Sequence, residues 1–514
     1  MKSATLILLG LSACTVPELR TEKPRAPAQA TVFVTSNLKG YLGPCGCSQN
    51  QRGGIARTAF QVAQARAEGG NVLLIDSGDM LFGTYELAED AAGQQKRKAH
   101  ALADAFRLMG LNTRADGPLD HAAGKEFEDE LHLPIMRDQV SVLDISPGPN
   151  ASAIGVVSSK DPKQLIELSA QARAQGARFV VALYQRPLAD AIKLGLEDQL
   201  GVDLLVVAAA PGETAAEENR LISSKLPIAL SQSKGRSLLR IDLFDAGEPG
   251  RFSLVKGAAE LERELEAMDQ RIETLRLQVN EPGLAAELVA LKKAKLAEMI
   301  ERRAALAATP PKMPEGKNAF TVRFLPLEST MPELSEVRAV VTRYDRDVGA
   351  LNLAWAKEHG RECPAPEAGA PHFVGDEACR DCHAEAFPIW EKSKHHGAIH
   401  TLEKKGKALH LDCIGCHVTG WQQPSGVCRI DKVEGHGNVG CESCHGPGST
   451  HVEDPDSAGN IRNRKDAKVC VGCHDPENSP SFDYPKYVAQ ITGPGHGDAA
   501  TRGEPAHTGK KQSP

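Results

Sequence analysis

The chain has 514 residues, a formal net charge of −7, 41% hydrophobic and 25% charged residues. This composition excludes a chain that is disordered throughout, a basic nucleic-acid-binding protein and a polytopic membrane protein. The length is typical of two or three domains. Histidine and cysteine are unevenly distributed, because 13 of the 17 His and 9 of the 13 Cys lie from His372 onward. We therefore expect two parts with different chemistry, and no nucleic-acid partner.

The first residues predict export. Met1-Lys2 and the apolar run Leu6–Leu11 have the form of a signal peptide too short to span a bilayer. The segment ending at Cys14 resembles the lipobox of bacterial lipoproteins, and an ordinary signal with a chance Cys is the alternative. The resemblance implies that Cys14 carries lipid, and the absence of Asp after it favours the outer membrane. We expect a signal at 1–14, a flexible tether at 15–30 and a lipid-anchored protein on the periplasmic face of the envelope.

The N-terminal part predicts an α/β domain over residues 31–255. Thr31–Thr35 and Asn71–Asp76 have the pattern of β-strands, and Thr58–Glu68 between them has that of a helix, which makes one β-α-β unit. Further strands at Arg178–Leu183 and Leu204–Val207, each followed by a helical stretch, continue the alternation.

This part resembles the calcineurin-like domain of 5′-nucleotidases, an α/β sandwich. In that family Asp, Asn and His hold two metal ions. Here Asn37 replaces the first Asp, Lys39 replaces the first His, and only Asp79 survives. Gly117-Pro118-Leu119-Asp120 lacks the family's Asn and His, and His121 lies one place beyond it. We expect no divalent metal in this domain and an inactive hydrolase site, with nucleotide hydrolysis as an alternative. The resemblance rests on Thr35–Gly40, Gly53–Arg57, Leu74–Asp79, Gly117–Asp120, Leu226–Leu230, Gly235 and Arg240–Leu243.

A helical connector is expected over 256–310. Apolar residues from Leu261 to Val279 follow a 4-3 spacing, Asn280-Glu-Pro-Gly283 breaks the helix, and Leu284–Ala308 predicts a second, less regular one. An antiparallel hairpin and a homodimeric coiled coil are both compatible with this pattern. In the connector at 311–371, Ala319–Leu327 predicts a strand and Pro332–His359 mainly a helix. Both elements could pack on either the N-terminal or the C-terminal part of the chain.

Four Cys-x-x-Cys-His segments carry the chemistry of the C-terminal part, predicted over 372–498. In this motif two thiols form thioethers with the haem vinyl groups and the adjacent His binds the iron. Zinc or disulfides are the alternatives, but neither requires a His directly after every second Cys. We therefore expect four covalently bound haem c groups. The motifs are Cys379–Cys382–His383, Cys413–Cys416–His417, Cys441–Cys444–His445 and Cys470–Cys473–His474.

The amino-acid composition limits which residues can be the second axial ligand of each iron. No Met follows Met331, so bis-His or five-coordinate iron is expected, and the exchange of Met for His lowers the reduction potential. Nine other His are available for at most four places, and His507 is the least suitable because it lies in the polar tail at 499–514, which we expect to be disordered.

The C-terminal part also resembles the tetrahaem cytochrome c554 family. The resemblance rests on the motifs together with Phe387–Trp390, Trp421, Gly446-Pro-Gly448 and Ser479–Tyr484. It implies closely packed haems, mostly bis-His irons and in some members one open axial position. By this resemblance His395 is the first candidate for a distal ligand, followed by His451, His496 and then His400. The doubled His395-His396 leaves the register open by one residue.

Four further thiols are left: Cys45, Cys47, Cys363 and Cys428. Their even number favours disulfides over a metal or redox site. The function predicted from the whole sequence is a multihaem c-type cytochrome that transfers electrons to partner proteins in the bacterial envelope. A haem enzyme acting on a small nitrogen compound at a five-coordinate iron is the main alternative.

Overall fold

The computed structural model describes residues 28–45, 51–136, 139–144, 153–208, 218–255, 257–279, 284–308, 314–360, 362–457, 461, 467–475, 478–479 and 482–496. The predicted signal peptide with Cys14, most of the tether, Cys47, the helix break at 280–283, His507 and the C-terminal tail lie outside these ranges, as does the side chain of Cys45.

The first sheet of the N-terminal part has seven strands. Its centre confirms the predicted β-α-β unit, because β1 pairs in parallel with β4 and the intervening helix α1 (Ile55–Ala67) begins three residues before the predicted start. The order is β14-β15-β13-β1-β4-β5-β6. These strands are β1 (Ala30–Thr35), β4 (Asn71–Asp76), β5 (Thr113–Ala115), β6 (Ile135–Met136), β13 (Ser237–Phe244), β14 (Ser253–Leu254) and β15 (Ala319–Pro326).

The second sheet has six strands in the order β11-β12-β10-β9-β8-β7. The strands predicted near 178–183 and 204–207 are confirmed as β9 and β10, which pair in parallel. Helices α4 (Pro162–Ala174) and α5 (Leu188–Glu197) flank β9 in sequence, whereas residues 209–217, after β10, lie outside the described ranges. The strands are β7 (Val140–Asp144), β8 (Ala153–Ser158), β9 (Ala177–Tyr184), β10 (Leu204–Val207), β11 (Arg220–Ile222) and β12 (Ile228–Leu230).

The apolar faces of the two sheets meet in one core. Val32 and Ile75 of the first sheet and Ile154 and Val181 of the second are fully buried in it. Helices cover the other face of the first sheet: α1, α2 (Glu89–Met109), α3 (Lys125–Glu130) and α8 (Ser335–Glu358). The predicted α/β sandwich is therefore confirmed.

The predicted strand and helix of the connector pack on the N-terminal part. β15 pairs antiparallel with β13 along its whole length, from Ala319 against Phe244 to Pro326 against Ser237. α8 packs against α1 and α2 through buried Val337, Val341 and Tyr344.

The predicted pair of helices is present between β14 and β15, as α6 (Ala258–Val279) and α7 (Ala286–Ala307). Met268, Ile272 and Met299 pack between them, and the Arg303 guanidinium pairs with Asp269 at 3.0 Å. The two helices therefore form a hairpin within the chain.

The C-terminal part consists of short helices joined by loops. Its buried apolar cluster is small and contains Ile414, Val418, Val427 and Ile430. A disulfide between Cys363 and Cys428 ties the segment after α8 to this cluster, which confirms a disulfide for these two thiols. No helix in the described ranges is long and apolar enough to cross a membrane. The helices are α9 (Glu377–Arg380), α10 (Phe387–Glu391), α11 (Ala398–Lys404), α12 (Leu411–Ile414), α13 (Cys441–His445), α14 (Ser449–Glu453) and α15 (Tyr484–Val488).

Candidate functional sites

Each Cys-x-x-Cys-His motif lies on a short helical turn. In the first and fourth motifs the His N–H donates to the carbonyl of the first Cys four residues earlier, from His383 to Cys379 at 3.0 Å and from His474 to Cys470 at 2.8 Å. A helical turn places residues four apart on one face, so the first thiol and the histidine lie on the same side. None of the eight motif cysteines forms a disulfide, and Cys382 and Cys473 are exposed.

The four motifs contact one another across long stretches of the sequence. The Cys379 thiol of the first motif contacts Cys441 of the third, and this hydrogen bond lowers the pKa of Cys379. The Cys473 thiol of the fourth motif donates to Cys416 of the second and lowers the pKa of Cys416 to about 7.

The third and fourth motifs are also neighbours. Burial, and then the nearby Cys470 of the fourth motif, raise the pKa of Cys444 in the third motif to about 11. The motifs form a cluster, because Cys473 of the fourth motif lies near both Cys416 and Cys444, and Thr419 just after the second motif contacts Ser443 of the third at 2.9 Å.

Two of the motif histidines face a second histidine. The ring centres of His383 and His451 are 6.1 Å apart, and those of His474 and His395 are 6.2 Å apart. A first-row metal ion bonds a histidine nitrogen at about 2 Å, which puts two rings on opposite sides of one ion roughly 6 Å apart. Both pairs fit bis-His ligation of an iron.

The hydrogen bonds of the motif histidines also fit a haem iron. Nδ1 of His417 lies 2.7 Å from the Ala398 carbonyl oxygen, and Nδ1 of His474 lies 3.1 Å from Oγ of Ser479. A partner at Nδ1 fixes the ring and leaves Nε2 for a metal. Free thiols, oriented histidines and paired rings are the donor set that haem c requires.

The remaining candidates for distal ligands have different surroundings. His496 lies near His445. The pKa of His496 is lowered by burial and, to a smaller extent, by the charge of His445. His400 is exposed, and its Nδ1 lies 3.0 Å from the Glu403 carboxylate. His396 packs edge-on against Trp390, whereas the ring of His395 lies beside that of His474 in the fourth motif.

The region that corresponds to the phosphoesterase metal site is built on strained, close-packed loops. Asn37, Lys39 and Asp79 have positive φ angles of 48°, 51° and 54°. A Cβ at Gly117 would lie 2.0 Å from the Asp79 nitrogen, so glycine is required for the two loops to approach. The Asn37 side chain is fully buried and its Oδ1 and Nδ2 have no hydrogen-bond partner.

A protein cation balances the carboxylates of this region. The Arg114 side chain is 1% exposed, and its guanidinium donates to Asp120 at 3.0 Å and also to Glu128. Asp120 additionally accepts the Leu81 N–H, and Asp79 accepts the Leu119 N–H at 2.9 Å. These carboxylates are therefore engaged by the protein itself.

His121, for which we predicted no role, lies between two carboxylates. Its ring nitrogens are 3.2 Å from Asp116 and 3.2 Å from Glu128, and the ligand atoms of the three residues lie within 4.8 Å of one another. Because Glu128 already pairs with buried Arg114, this cluster contains its own counter-charge.

The comparison with known families agrees with the haem geometry. The family described as cytochrome c554 and c-prime matches residues 378–446, which include the first three motifs. Cytochrome c-554 of Nitrosomonas europaea is 36% identical over 96 residues, which is 16% of this chain. The C-terminal part of the chain is cytochrome c554-like. The chain spans 40% of the length of that relative, so the similarity concerns this part alone.

Solved structures resemble the part outside the cytochrome c554-like region. A sulfate thiohydrolase, SoxB, of Thermus thermophilus has a TM-score of 0.40 and 16% identity, covering 71% of this chain and 69% of that chain. A 5′-nucleotidase precursor of the same organism has a TM-score of 0.39 and 12% identity, covering 73% and 68%. The calcineurin-like phosphoesterase YfkN of Bacillus subtilis has a TM-score of 0.34 and 16% identity, covering 42% and 85%. These similarities concern the fold.

The buried carboxylates give a pH-dependent stability. Burial raises the pKa of Asp76 to about 8 and that of Asp120 to about 6. The folded state therefore keeps a proton on Asp76 from about pH 4 to pH 8, where the unfolded chain has lost it. Stability falls as the pH rises through this window.

We expect the free energy of unfolding to decrease between pH 5 and pH 8, with Asp76 contributing about 3 kcal/mol. Asp76→Asn cannot ionise, so its urea-unfolding midpoint should fall much less over the same range. Asp104→Asn, on the surface of α2, is the control and should follow the wild type. A variant curve parallel to that of the wild type would refute the assignment.

Sequence reasoning missed the role of Arg114. The residue gave no signal, because Asp120 and Glu128 lie 6 and 14 positions away and only the tertiary fold brings them to it.

Proposed function

We propose that the chain is a tetrahaem c-type cytochrome that carries electrons, with the phosphoesterase-like domain as a structural support. The observation that carries this proposal is the pairing of His383 with His451 and of His474 with His395, at 6.1 and 6.2 Å between ring centres. An iron with two histidine ligands has no place for a substrate, which favours electron transfer over catalysis.

The residues of the chain hold and orient the cofactors. The eight motif thiols provide thioether links, and the four motif histidines provide one axial ligand each. Bound haem supplies reversible one-electron chemistry at the iron. Contacts between the motifs bring the attachment points into one cluster, which supports electron transfer between neighbouring haems.

The test is the haem count together with the spin state of the oxidised protein. Pyridine haemochrome analysis should give four haems per chain, and electron paramagnetic resonance should show mainly low-spin iron. Metal analysis of the same sample should find no stoichiometric Mn, Zn or other divalent ion, because Arg114 already balances the carboxylates of the former metal site. Fewer than four haems per chain would refute the tetrahaem cytochrome. Two divalent ions per chain would refute the structural role of the phosphoesterase-like domain.

A second candidate function rests on the second motif. Within the described ranges no second histidine ring faces His417 at the spacing found for the other pairs. An iron with one free axial position binds small molecules, so reduction or oxidation of a small nitrogen compound is the alternative. A high-spin component amounting to one iron in four, converted to low-spin by added nitric oxide or nitrite, would favour it.

We propose that the protein is exported and anchored by lipid on Cys14, on the periplasmic face of the outer membrane, where partner proteins exchange electrons with it. The lipobox-like sequence before Cys14 and the c-type motifs support this location, because haem c attachment and disulfides belong to exported proteins. Cys14→Ser should release the protein from membranes into the soluble periplasmic fraction. A wild-type protein that is already soluble would contradict the anchor.

We also propose a homodimer formed through the α6–α7 hairpin. Leu277, Leu288 and Leu291 are 41%, 40% and 66% exposed beside the turn of the hairpin. The sequence of α6 is net acidic and that of α7 net basic, so an antiparallel second hairpin offers complementary charge as well as an apolar surface.

Leu291→Glu should convert the dimer to a monomer in sedimentation equilibrium, because it buries a charge in the apolar contact. The control Lys292→Glu changes the charge of the same helix by a larger step without removing an exposed leucine, and should weaken the dimer far less. A monomeric wild type at micromolar concentration would refute this interface.

A further inference from the structure

The second haem-attachment motif begins on the surface of the phosphoesterase-like domain. The first N–H of α12, that of Leu411, donates to Oε1 of Gln94 on α2 at 3.0 Å. The same oxygen accepts from Nδ2 of Asn352 on α8 at 2.6 Å, and Nδ2 also donates to the Leu409 carbonyl at 2.8 Å. Gln94 and Asn352 are 0% and 4% exposed, so the partners cannot be exchanged for water without cost. The two parts meet in a specific joint.

An ion pair lies beside this joint. Nζ of Lys98 is 2.7 Å from Oδ2 of Asp412, and Nε2 of Gln95 donates to the other carboxylate oxygen at 3.0 Å. The Lys98 side chain is 12% exposed and that of Asp412 is 43% exposed. Asp412 directly precedes Cys413, whose thiol is the first attachment point of the second haem. A haem joined to Cys413 would be attached at the residue next to this carboxylate.

Lys98 also contacts the loop that corresponds to the former metal site. A Cβ on Gly40 would lie 3.5 Å from Cδ of Lys98 and 3.0 Å from the Leu81 carbonyl oxygen. Gly40 has a φ of +80° and follows Asn37 and Lys39 in the same loop. The stem of Lys98 thus packs on the degenerate site while its charge reaches the haem-attachment motif.

The second motif lies between the phosphoesterase-like domain and the other motifs. It contacts the fourth motif through Cys416 and Cys473, and Thr419 just after it contacts Ser443 of the third motif at 2.9 Å. Its first turn and the preceding Leu409 contact Gln94 of α2 and Asn352 of α8. The phosphoesterase-like domain therefore meets the cluster of haem-attachment motifs at the second motif.

We propose that Lys98 and Asp412 set the reduction potential of the second haem, so that the phosphoesterase-like domain tunes this haem. This inference rests on the proposed tetrahaem function. Oxidation of a haem iron adds one positive charge, which a nearby carboxylate stabilises and a nearby ammonium opposes. In a partly buried site such charges act through a lower effective dielectric than in water. The paired ammonium offsets the effect of Asp412.

The experiment is a potentiometric titration of the full-length protein, followed by its haem absorbance, with four components fitted. Lys98→Met leaves Asp412 without its cation, so one component should shift to more negative potential. Asp412→Asn leaves the cation alone, so the same component should shift to more positive potential. The double variant should return close to the wild type.

Arg97→Met is the matched control, because Arg97 is the neighbour of Lys98 on α2 and pairs with Asp347 of α8 at 2.8 Å within the phosphoesterase-like domain. It should leave all four components in place. Shifts of the two single variants in the same direction, shifts spread over several components, or no shift in either variant would each overturn the proposal. Haemochrome analysis of every sample separates these outcomes from a failure to bind four haems, which would refute the function instead.

Discussion

Replacement of His451 by alanine is expected to convert one haem iron in four from low-spin to high-spin. The ring of His451 lies 6.1 Å from that of His383, at the distance of two ligands on one iron, and alanine offers no nitrogen. His395→Ala should have the same effect on the haem of the fourth motif, because His395 faces His474 at 6.2 Å. The effects of the two substitutions should be additive, so that the double variant has two high-spin irons of four. Electron paramagnetic resonance and the absorbance of the oxidised protein measure both fractions.

Two histidines on the same surface provide controls for this experiment. His400 is exposed and paired with Glu403, and His396 packs on Trp390 rather than on a motif histidine. His400→Ala and His396→Ala should keep the spin state of the wild type. A high-spin iron in His396→Ala together with an unchanged His395→Ala would show that the register of the doubled histidine is the reverse.

Replacement of Arg114 by methionine is expected to lower the free energy of unfolding by about 3–5 kcal/mol, because it leaves buried charges without their partner. The side chains of Asp120 and Glu128 are 0% and 2% exposed, and both depend on the same guanidinium. Urea unfolding followed by far-ultraviolet circular dichroism reports the loss, while the haem absorbance reports the cytochrome c554-like region separately.

A neutral triple variant distinguishes charge from packing in this prediction. Arg114→Met with Asp120→Asn and Glu128→Gln removes the cation and both carboxylates together, and should recover most of the lost stability. Arg107→Met, which breaks the exposed pair with Asp104, should cost less than about 1 kcal/mol. A loss in Arg114→Met no larger than in this surface variant would refute the role of the buried triad.

The sequence predicted those strands, helices and motifs that are determined by residues close to one another in the chain. The alternation of buried strands and a helix between Thr31 and Asp76 was sufficient for the β-α-β unit, and the 4-3 spacing after Leu261 was sufficient for α6. The four motifs were identifiable because thioether and axial ligand chemistry fixes their spacing within five residues. His395 was found by resemblance, since nothing in the local sequence distinguishes it from His396.

Features that depend on contacts between distant residues were not predictable from the sequence. Lys98 and Asp412 lie 314 positions apart, and each alone has the pattern of an ordinary surface charge. The Cys363–Cys428 disulfide belongs to one of the three ways in which four spare thiols can form two disulfides. The rings of His383 and His451 come together although the two residues are 68 positions apart.

The contacts between motifs have a consequence for biogenesis. A chain synthesised and exported from its N-terminus presents the first motif long before Cys441, the thiol that Cys379 contacts in the folded state. The second motif likewise precedes Cys473, its neighbour, by more than fifty residues of chain. Because each haem is attached through the two thiols of a single motif, the first and second motifs can be loaded before the third and fourth emerge. Early loading would keep their thiols from forming disulfides with those of the later motifs. The phosphoesterase-like domain precedes the motifs in the chain, and through Gln94 it offers the second motif a folded surface to dock on during that interval.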